Sequence, residues 1–415
     1  MTDDFDFQRV LGERYIAFED KLDAEQGVND VRQLWHTPTE LFKPHYGHAI
    51  ARYLVTNYKL SLYPYHDLVI YEMGAGNGTL MTNILDYIRD SDPDVYERTR
   101  YKVIEISSQL ADLQRKALIT PNPSSVTTTS PTSPTATADI PIPPDHASRV
   151  EIINRSIFKW DTYVPSPCFF LALEVFDNFA HDMIRYDYST GQPLQGQVLI
   201  DSNGDFHEFY VPGLDSQVSH FLTLRKKILQ SSSSFPPSSP QRSRISSITN
   251  PRKNTLWMFP HTTPVPTLSL LARKLRSRIP LLPNLSPPEF IPTKLLSFFQ
   301  ILHSHFPLHR LITSDFHYLP DTIPGLNSPV VQTRYKRVTV PVSTIYVHQG
   351  YFDILFPTDF DILEGLYRAV TGKLTRVMSH GEFVKRWCWL DEVRTKSGEV
   401  PLMTWYQNAS FMSSV

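Results

Sequence analysis

Apolar residues along this chain alternate between short unbroken runs and runs with helical spacing. Unbroken runs at 67–71, 101–106 and 168–175 predict buried strands, because a central parallel strand is covered on both faces. Between them, apolar residues recur every three or four positions at 80–88 and 110–118, which is typical of amphipathic helices. Strands that alternate with helices predict an α/β fold, with a parallel sheet and helices on both of its faces.

The remaining pattern adds further elements. A cap-like Thr-Pro-Thr-Glu at 37–40 precedes helical spacing that continues to residue 58, which predicts an early helix. Residues 184–211 hold short apolar runs separated by Ser-Thr-Gly and Asn-Gly turns, and this pattern predicts a strand meander. The other predicted elements are a helix at 291–306 and strands at 150–154, 311–316, 343–347 and 352–356.

Two stretches interrupt the alternation. Residues 121–144 are almost all Pro, Ser, Thr and Ala, and residues 231–253 repeat that bias with Arg and Lys added. Neither can bury enough apolar surface to offset the loss of chain entropy, so we expect two disordered insertions. We therefore expect an N-terminal helical extension at 1–36, a main domain at 37–365 that contains both insertions, and a C-terminal extension of the same fold at 366–415.

Composition argues against several classes of function. The net charge is −2, so no strong field attracts nucleic acid or an anionic membrane. No run approaches the ~20 apolar residues of a membrane span, and Cys168 and Cys388 are expected to be free thiols in apolar surroundings. The acidic start, Met1 to Asp6, resembles neither a secretory signal nor a transit peptide. Composition alone therefore indicates the cytosol.

The most informative motif is a glycine-rich turn between a predicted strand and a predicted helix. Glu72 is followed by Gly74, Gly76 and Gly78, and glycines let a backbone approach a ligand closely. In open α/β sheets, ligands bind at this carboxyl edge of the strands. A dinucleotide motif needs a sixth-position glycine where this chain has Thr79, and no Gly-Lys-Ser/Thr follows for a phosphate loop. The turn therefore favours a different nucleoside ligand over NAD or ATP.

A second acid supports that reading. Glu105 ends the next predicted strand, where a carboxylate can accept both ribose hydroxyls of a nucleoside. No Lys or Arg lies between Glu72 and Asp86, so the turn offers nothing to neutralise phosphates. A sulfonium with an amino-acid tail suits this acidic turn better, which favours S-adenosylmethionine. The alternative is a plain strand–helix turn beside a helix-capping Glu.

A third group of acids follows the apolar run at 168–175. Glu174 and Asp177 are three residues apart and are expected to project from the end of a central strand. Paired acids can hold a guanidinium through two hydrogen bonds and direct one nitrogen at a methyl group. A loop in which Asp177 caps a helix is the structural alternative. The spacing of Glu174, His181 and Asp182 matches no known metal site, so we expect no metal.

Four segments taken together resemble the MidA family, which includes the mitochondrial complex I assembly-factor arginine methyltransferases. In the family's motif order they begin at a capped helix, continue through the glycine turn and the second acid, and end at the acid pair. The segments are Thr37 to His48, Glu72 to Met81, Glu105 to Leu110 with Gln114, and Glu174 to Asp177. The sequence departs from the family pattern at Leu173, where the family has Asn, and at Ala180, where it has Pro.

The resemblance implies a fold, a donor and an acceptor. The implied fold is a Rossmann-like seven-stranded methyltransferase sheet with additional helices and strands. S-adenosylmethionine is the implied donor, with Glu72, Gly74, Gly76 and Gly78 on its methionine side and Glu105 at its ribose. The implied reaction is symmetric dimethylation of a protein arginine on a complex I subunit in the mitochondrial matrix.

In that reaction Glu174 and Asp177 face the acceptor. The departures at Leu173 and Ala180 keep open an alternative, a catalytically silent assembly factor of the same fold that acts by binding a protein partner. A nicotinamide-dependent oxidoreductase is a further alternative, against which Thr79 argues. The pattern leaves the oligomeric state undetermined.

Overall fold

A central sheet of seven strands organises the protein. The computed structural model describes residues 37–119, 144–232, 283–335, 338–348 and 350–414. The predicted extension at 1–36 and nearly all of the two low-complexity stretches lie outside these residues.

Five strands of the central sheet are parallel, and two antiparallel strands at one edge complete it. The sheet order is β13-β14-β9-β4-β1-β2-β3. Its strands are β1 (Leu68–Met73), β2 (Thr99–Glu105), β3 (Val150–Asn154), β4 (Cys168–Leu173), β9 (His309–Phe316), β13 (Thr375–Ser379) and β14 (Ala409–Ser414).

Helices cover both faces of the sheet. The longer ones are α2 (His45–Ser61), α3 (Thr79–Ser91), α5 (Ser108–Ile119), α7 (Ser216–Ser232), α8 (Thr293–His305), α9 (Phe360–Thr371) and α10 (His380–Trp387). Short helices are α1 (Pro38–Leu41), α4 (Pro93–Glu97), α6 (Pro144–Ala147) and α11 (Pro401–Thr404), with 3₁₀ turns at Ile157–Lys159, Phe176–Asn178 and Leu390–Glu392. The predicted α/β layering is therefore present.

The direction of strand addition reverses between β1 and β4. From β1 the chain adds β2 and β3 on one side, and β4 and β9 on the other. Such a switch point leaves a crevice at the carboxyl ends of the strands, because the connections leave toward opposite faces. The glycine turn follows β1 and the acid pair follows β4, so both sequence motifs lie at this edge.

Two apolar layers hold the sheet between its helices. Neighbouring strand residues alternate between them: Ile70 packs with α2, α3 and α10, whereas Tyr71 packs with α7, α8 and α9. Phe169 and Phe170 divide in the same way and are both fully buried. Each such side chain stabilises the fold by about 1.5–3 kcal/mol when it leaves water. The strand ends that carry the acids are thus fixed by a rigid core.

Two smaller sheets lie beside the turn that follows β4. The predicted meander forms β5 (Asp182–Tyr186), β6 (Pro193–Ile200) and β7 (Phe206–Val211), and β5 also pairs with β8 (Glu289–Ile291). The third sheet contains β10 (Val330–Tyr335), β11 (Val338–Val342) and β12 (Asp353–Leu355).

One predicted element and one predicted boundary were wrong in this part of the chain. The strand predicted at 343–347 is absent, because the chain leaves β11 at Val342 and continues without regular structure. The helix predicted from 291 begins at Thr293, since Ile291 pairs with Asp182 in the flanking sheet and Pro292 forms the cap position.

A buried histidine, His146, anchors the short helix α6. The His146 side chain has no exposed surface, and its two ring nitrogens lie against the Tyr96 hydroxyl and Asp86, at 2.5 and 3.1 Å. Tyr96 lies on α4 and Asp86 on α3, so His146 ties α6 to two elements that precede the low-complexity stretch. Across the described residues, no helix is both long and apolar enough to span a bilayer.

Candidate active site

The glycine turn adopts the backbone that its sequence requires. Gly74, Gly76 and Gly78 have φ angles of 74°, 52° and 78°, in the left-handed region that favours glycine. The Gly78 N–H donates to the Ala75 carbonyl at 2.8 Å, and Gly78 is the cap position of α3. The first N–H groups of α3 therefore face the crevice, where they favour a ligand carboxylate. A side chain at Gly74 would lie 3.2 Å from Val175, so the turn and the acid pair approach closely here.

The turn is also held from outside. The Thr79 hydroxyl donates to the Glu40 carboxylate of α1, and the Gln114 amide of α5 donates to the Gly76 carbonyl at 2.7 Å. Thr37 caps α1 as its sequence predicts, since its side chain accepts from the Glu40 N–H at 3.3 Å. Glu40 of the first motif segment and Gln114 of the third therefore both hold the glycine turn.

Glu72 lies beneath the turn rather than at its surface. It is 5% exposed, and the Tyr101 hydroxyl of β2 donates to it at 2.7 Å. Burial is the main reason that the pKa of Glu72 rises to about 7, and the nearby Glu105 carboxylate raises it further.

Replacing Glu72 with glutamine is expected to stabilise the ligand-free protein at pH 8. A folded-state pKa of about 7 against an ordinary 4.5 means that ionised Glu72 opposes folding above pH 7, and that this cost disappears below about pH 4.5. The gain is on the order of 3 kcal/mol at pH 8, at about 1.4 kcal/mol per pKa unit. Thermal unfolding of Glu72→Gln at pH 8 and pH 5, with exposed Glu151→Gln as control, measures it. A melting temperature below wild type at pH 8 contradicts the assignment.

Glu105 occupies the predicted strand end. It is the last residue of β2, is 5% exposed, and accepts the Ser107 N–H at 2.9 Å. Burial raises the pKa of its carboxyl group, while the Ser107 N–H and Gln114 oppose that rise. The Asn154 amide of β3 donates to the Glu105 carbonyl at 2.8 Å and fixes the backbone there.

Glu174 stands at a sharp turn directly after β4. The predicted strand at 168–175 ends at Leu173, because Glu174 adopts a left-handed φ of 54°. For a residue with a side chain this conformation costs on the order of 1–2 kcal/mol, and such strain concentrates at functional sites. The Glu174 N–H donates to the Ser314 carbonyl of β9 at 2.8 Å. Burial first, and then the charge of Asp177, raise the pKa of Glu174 well above its usual range.

Asp177 and Asp315 complete a group of three acids. Asp177 is 5% exposed and accepts the Asn178 amide at 2.6 Å, and burial raises its pKa to about 6. Asp315, at the end of β9, has no exposed surface and accepts the N–H groups of Phe176 and Asp177 at 2.8 and 3.2 Å. Burial and the charge of Asp177 raise the pKa of Asp315 well above its usual value. Asp177 therefore caps no long helix; its own turn is held by Asp315.

Sequence reasoning missed Asp315. The strand at 311–316 was predicted, and the rule that selected Glu174, an acid at the carboxyl end of a buried parallel strand, applies equally to Asp315. The pairing of β4 with β9 brings the two together, with Leu173 opposite Ser314. Asp315 and Glu174 are far apart in the sequence, and only the pairing of β4 with β9 shows that they are neighbours.

Aromatic residues from distant parts of the chain form the wall beside Glu174. Tyr46 of α2 stacks on His380 of α10 with ring centroids 5.7 Å apart, and Tyr406 also packs against His380, at 5.5 Å. After burial, the charge of Glu174 is the next cause that raises the hydroxyl pKa of Tyr46 and of Tyr406. No pattern in the sequence connects these three residues.

His181 is separate from the acid group. Its ring stacks on Phe356 with centroids 3.8 Å apart, its Nδ1 lies 2.8 Å from the Phe179 carbonyl, and burial lowers its pKa to about 4. A neutral, stacked imidazole is a packing residue. Within the described ranges, no three His, Cys, Asp or Glu side chains are arranged to hold a metal ion.

The residues at this edge fit S-adenosylmethionine. The turn offers three glycines in left-handed conformation and helix N–H groups for a carboxylate, and Glu72 and Glu105 supply acids below and beside it. Sheet order, glycine turn and strand-end acid together define a Rossmann-like methyltransferase.

Comparison with known proteins places the chain within a family. The profile of the family described as "Putative S-adenosyl-L-methionine-dependent methyltransferase" matches residues 49–378. Because that match covers more than half of the chain, the chain belongs to this family. S-adenosylmethionine as donor, the α/β methyltransferase fold and the family resemblance are thereby confirmed.

Individual relatives are more distant. The chain is 23% identical over 350 residues to a protein of Schizosaccharomyces pombe named "Protein arginine methyltransferase NDUFAF7 homolog, mitochondrial", with 82% of this chain and 64% of that protein covered. It therefore spans just under two thirds of that relative.

Two solved structures from Burkholderia thailandensis share the fold. One, an uncharacterized superfamily protein, superposes with a TM-score of 0.53 at 13% identity, covering 91% of this chain and 80% of that one. The other, of the same superfamily and bound to S-adenosyl-homocysteine, gives 0.50 at 12% identity, covering 91% and 77%.

Proposed function

We propose that this chain is a protein arginine N-methyltransferase that uses S-adenosylmethionine. The observation that carries the proposal is the pair Glu174 and Asp177 at the end of β4, next to the glycine turn through the contact between Gly74 and Val175. Two adjacent carboxylates match the paired N–H groups of a guanidinium. The name of the Schizosaccharomyces pombe relative supports the choice of arginine as the acceptor.

Each acid has a distinct role in the reaction. Bound S-adenosylmethionine supplies an electrophilic methyl group on its sulfonium. Glu72, Gly74, Gly76 and Gly78 hold its methionine part, and Glu105 accepts the ribose hydroxyls. Glu174 and Asp177 hold the guanidinium so that one nitrogen faces the methyl carbon. Alignment of the two groups supplies most of the rate enhancement, since direct displacement needs no strong base.

In the transfer step, Glu174 takes up the proton that the acceptor nitrogen loses. The nitrogen lone pair forms the new N–C bond, the S–C bond breaks with its electrons passing to sulfur, and the nitrogen loses one proton to the Glu174 carboxylate. Burial raises the pKa of Glu174 well above its usual range, which suits it to take up that proton. A bound guanidinium favours the ionised carboxylate before transfer, because opposite charges lie close in a dry site.

Methyl transfer to arginine is the direct test. Purified protein with S-adenosylmethionine and an arginine peptide library is expected to yield dimethylarginine, which fragmentation by mass spectrometry identifies as symmetric. In cells that lack the protein, the same analysis of complex I subunits is expected to show the loss of one arginine modification. Transfer to lysine or to no residue contradicts the proposal. Donor binding by calorimetry without any transfer supports the silent assembly factor instead.

We further propose a mitochondrial location and a complex I subunit as partner. The location rests on the resemblance stated above and on the name of the Schizosaccharomyces pombe relative, and the complex I subunit rests on the resemblance alone. Fractionation of cells that express the tagged protein tests the location, with protease protection of the matrix fraction as the deciding measurement.

A further inference from the structure

Tyr46 carries a buried hydroxyl that the proposed reaction has not yet used. The residue lies on α2 and has no exposed surface. Its ring stacks on His380 with an angle of 11° between planes and packs against Phe411 at 6.4 Å. Within the described part of the chain, its hydroxyl makes no hydrogen bond of good geometry. A buried hydroxyl without a well-formed hydrogen bond destabilises a fold, so a donor of this kind is suited to a partner that becomes charged when a ligand binds.

The register of the sheet places this hydroxyl beside the acceptor acids. Phe411 of β14 pairs with Ser314 of β9, and the Ser314 carbonyl accepts the Glu174 N–H at 2.8 Å. Tyr46 packs on that Phe411 ring, so it lies beside the part of β9 that holds the Glu174 turn. Consistent with this placement, burial and then the charge of Glu174 raise the pKa of Tyr46, whereas a weak hydrogen bond with the Ser314 side chain lowers it.

We propose that Tyr46 is a positioning residue for methyl transfer, whose hydroxyl donates a hydrogen bond to the ionised Glu174 carboxylate when the acceptor is bound. The inference rests on the proposed function. In the acceptor-free protein the buried Glu174 carboxyl group favours its neutral form and needs few donors. Once a guanidinium binds, the ionised carboxylate needs hydrogen-bond donors, and among the described residues the Tyr46 hydroxyl is a buried donor without a well-formed hydrogen bond of its own.

Ser314 and Tyr406 also carry hydroxyl groups near Glu174, whereas the remaining neighbours are poor donors to a carboxylate. Asp177 and Asp315 are acids, and the Nε2 atom of His380 lies 3.0 Å from the Leu402 carbonyl. The polar and titratable groups that face Glu174 come from its own turn, β9, α2, α10 and the segment before β14, and they are Asp177, Ser314, Asp315, Tyr46, His380 and Tyr406.

The role predicts a change in pH dependence. Glu174 must be ionised to take the proton that the acceptor nitrogen loses, so turnover falls as pH falls through its pKa in the complex. A hydrogen bond to the ionised form keeps that pKa down. Without the Tyr46 hydroxyl, the acid limb of the pH–rate profile moves to higher pH.

Tyr46→Phe tests the role, with Tyr58→Phe on the same helix as its matched control. We expect Tyr46→Phe to lower kcat about tenfold at pH 7 and to move the acid limb up by about one pH unit. Its affinity for S-adenosyl-homocysteine and its melting temperature should not fall. The Tyr58 hydroxyl donates to the His66 carbonyl at 2.7 Å, so Tyr58→Phe should lower the melting temperature and leave the pH profile unchanged.

An unchanged acid limb in Tyr46→Phe overturns the proposal, whether or not its melting temperature changes. Should that variant fail to accumulate, Tyr46→Leu removes the same hydroxyl and must show the same shift. If the wild type methylates an acceptor other than arginine, the proposed function fails, and the same comparison on that acceptor still decides the role of Tyr46. A wild type that transfers no methyl group to any acceptor overturns both.

Discussion

Glu174→Gln is expected to lower the rate of methyl transfer to arginine by about a hundredfold or more, while donor affinity remains within about twofold of wild type. The substitution keeps the shape of the side chain but removes both the charge that holds a guanidinium and the oxygen that takes its proton. Glu174 lies after β4, whereas the groups assigned to the donor follow β1 and β2. The substitution is therefore expected to affect methyl transfer and not donor binding. Radiolabelled methyl transfer measures the rate, and calorimetry with S-adenosyl-homocysteine measures the affinity.

The same variant should be no less stable than wild type at neutral pH. Burial and Asp177 raise the pKa of Glu174, so its ionised form opposes folding, and the neutral amide relieves that cost. Loss of turnover with retained stability separates a functional acid from a structural one. Exposed Glu399→Gln is the matched control and should change neither quantity. An unchanged transfer rate in Glu174→Gln would remove Glu174 from the reaction.

Glu105→Gln is expected to weaken the binding of S-adenosyl-homocysteine by about ten- to a hundredfold. The reason is the loss of charge-assisted hydrogen bonds to the ribose, each about 1.5–3 kcal/mol. At saturating donor, kcat should stay close to wild type, because the acceptor acids are untouched. Calorimetry gives the affinity, and turnover at several donor concentrations gives the split between KM and kcat.

Glu151→Gln supplies the comparison for this second result. Glu151 lies on β3, is exposed, and pairs with Lys102 at 2.8 Å, so its substitution removes a strand carboxylate away from the donor. Both variants should fold, and Glu105→Gln should be no less stable than Glu151→Gln, because burial raises the pKa of Glu105. If Glu105→Gln binds the donor as tightly as Glu151→Gln does, Glu105 has no part in holding the ribose.

The features that could be predicted from the sequence were the strands, helices and turns that depend on neighbouring residues. The alternation of 67–71, 80–88 and 101–106 was correctly read as strand, helix and strand, because the periodicity of apolar residues is set by which face is buried. The glycines of the turn were informative for a similar reason, since positive φ at Gly74, Gly76 and Gly78 is a property of single residues.

The missed features depend on chain segments that are remote from one another. Asp315 meets Asp177 only because β9 pairs with β4, and Tyr46 meets Glu174 only because α2 packs beside β14. The end of β4 was misjudged because an apolar run does not reveal that Glu174 turns left-handed. Likewise, 343–347 has strand-like residues but no neighbouring strand to pair with.

The position of β14 has a consequence for biosynthesis. This strand fills the space between β9 and β13, with Ala409 opposite Phe316. A ribosome that adds about 5–20 residues per second needs several seconds between completing β9 and completing β14. Through that interval the nascent sheet presents an apolar, unpaired edge, which is a template for aggregation. We expect the emerging chain to depend on a chaperone during these seconds, and the acceptor site to form last of all.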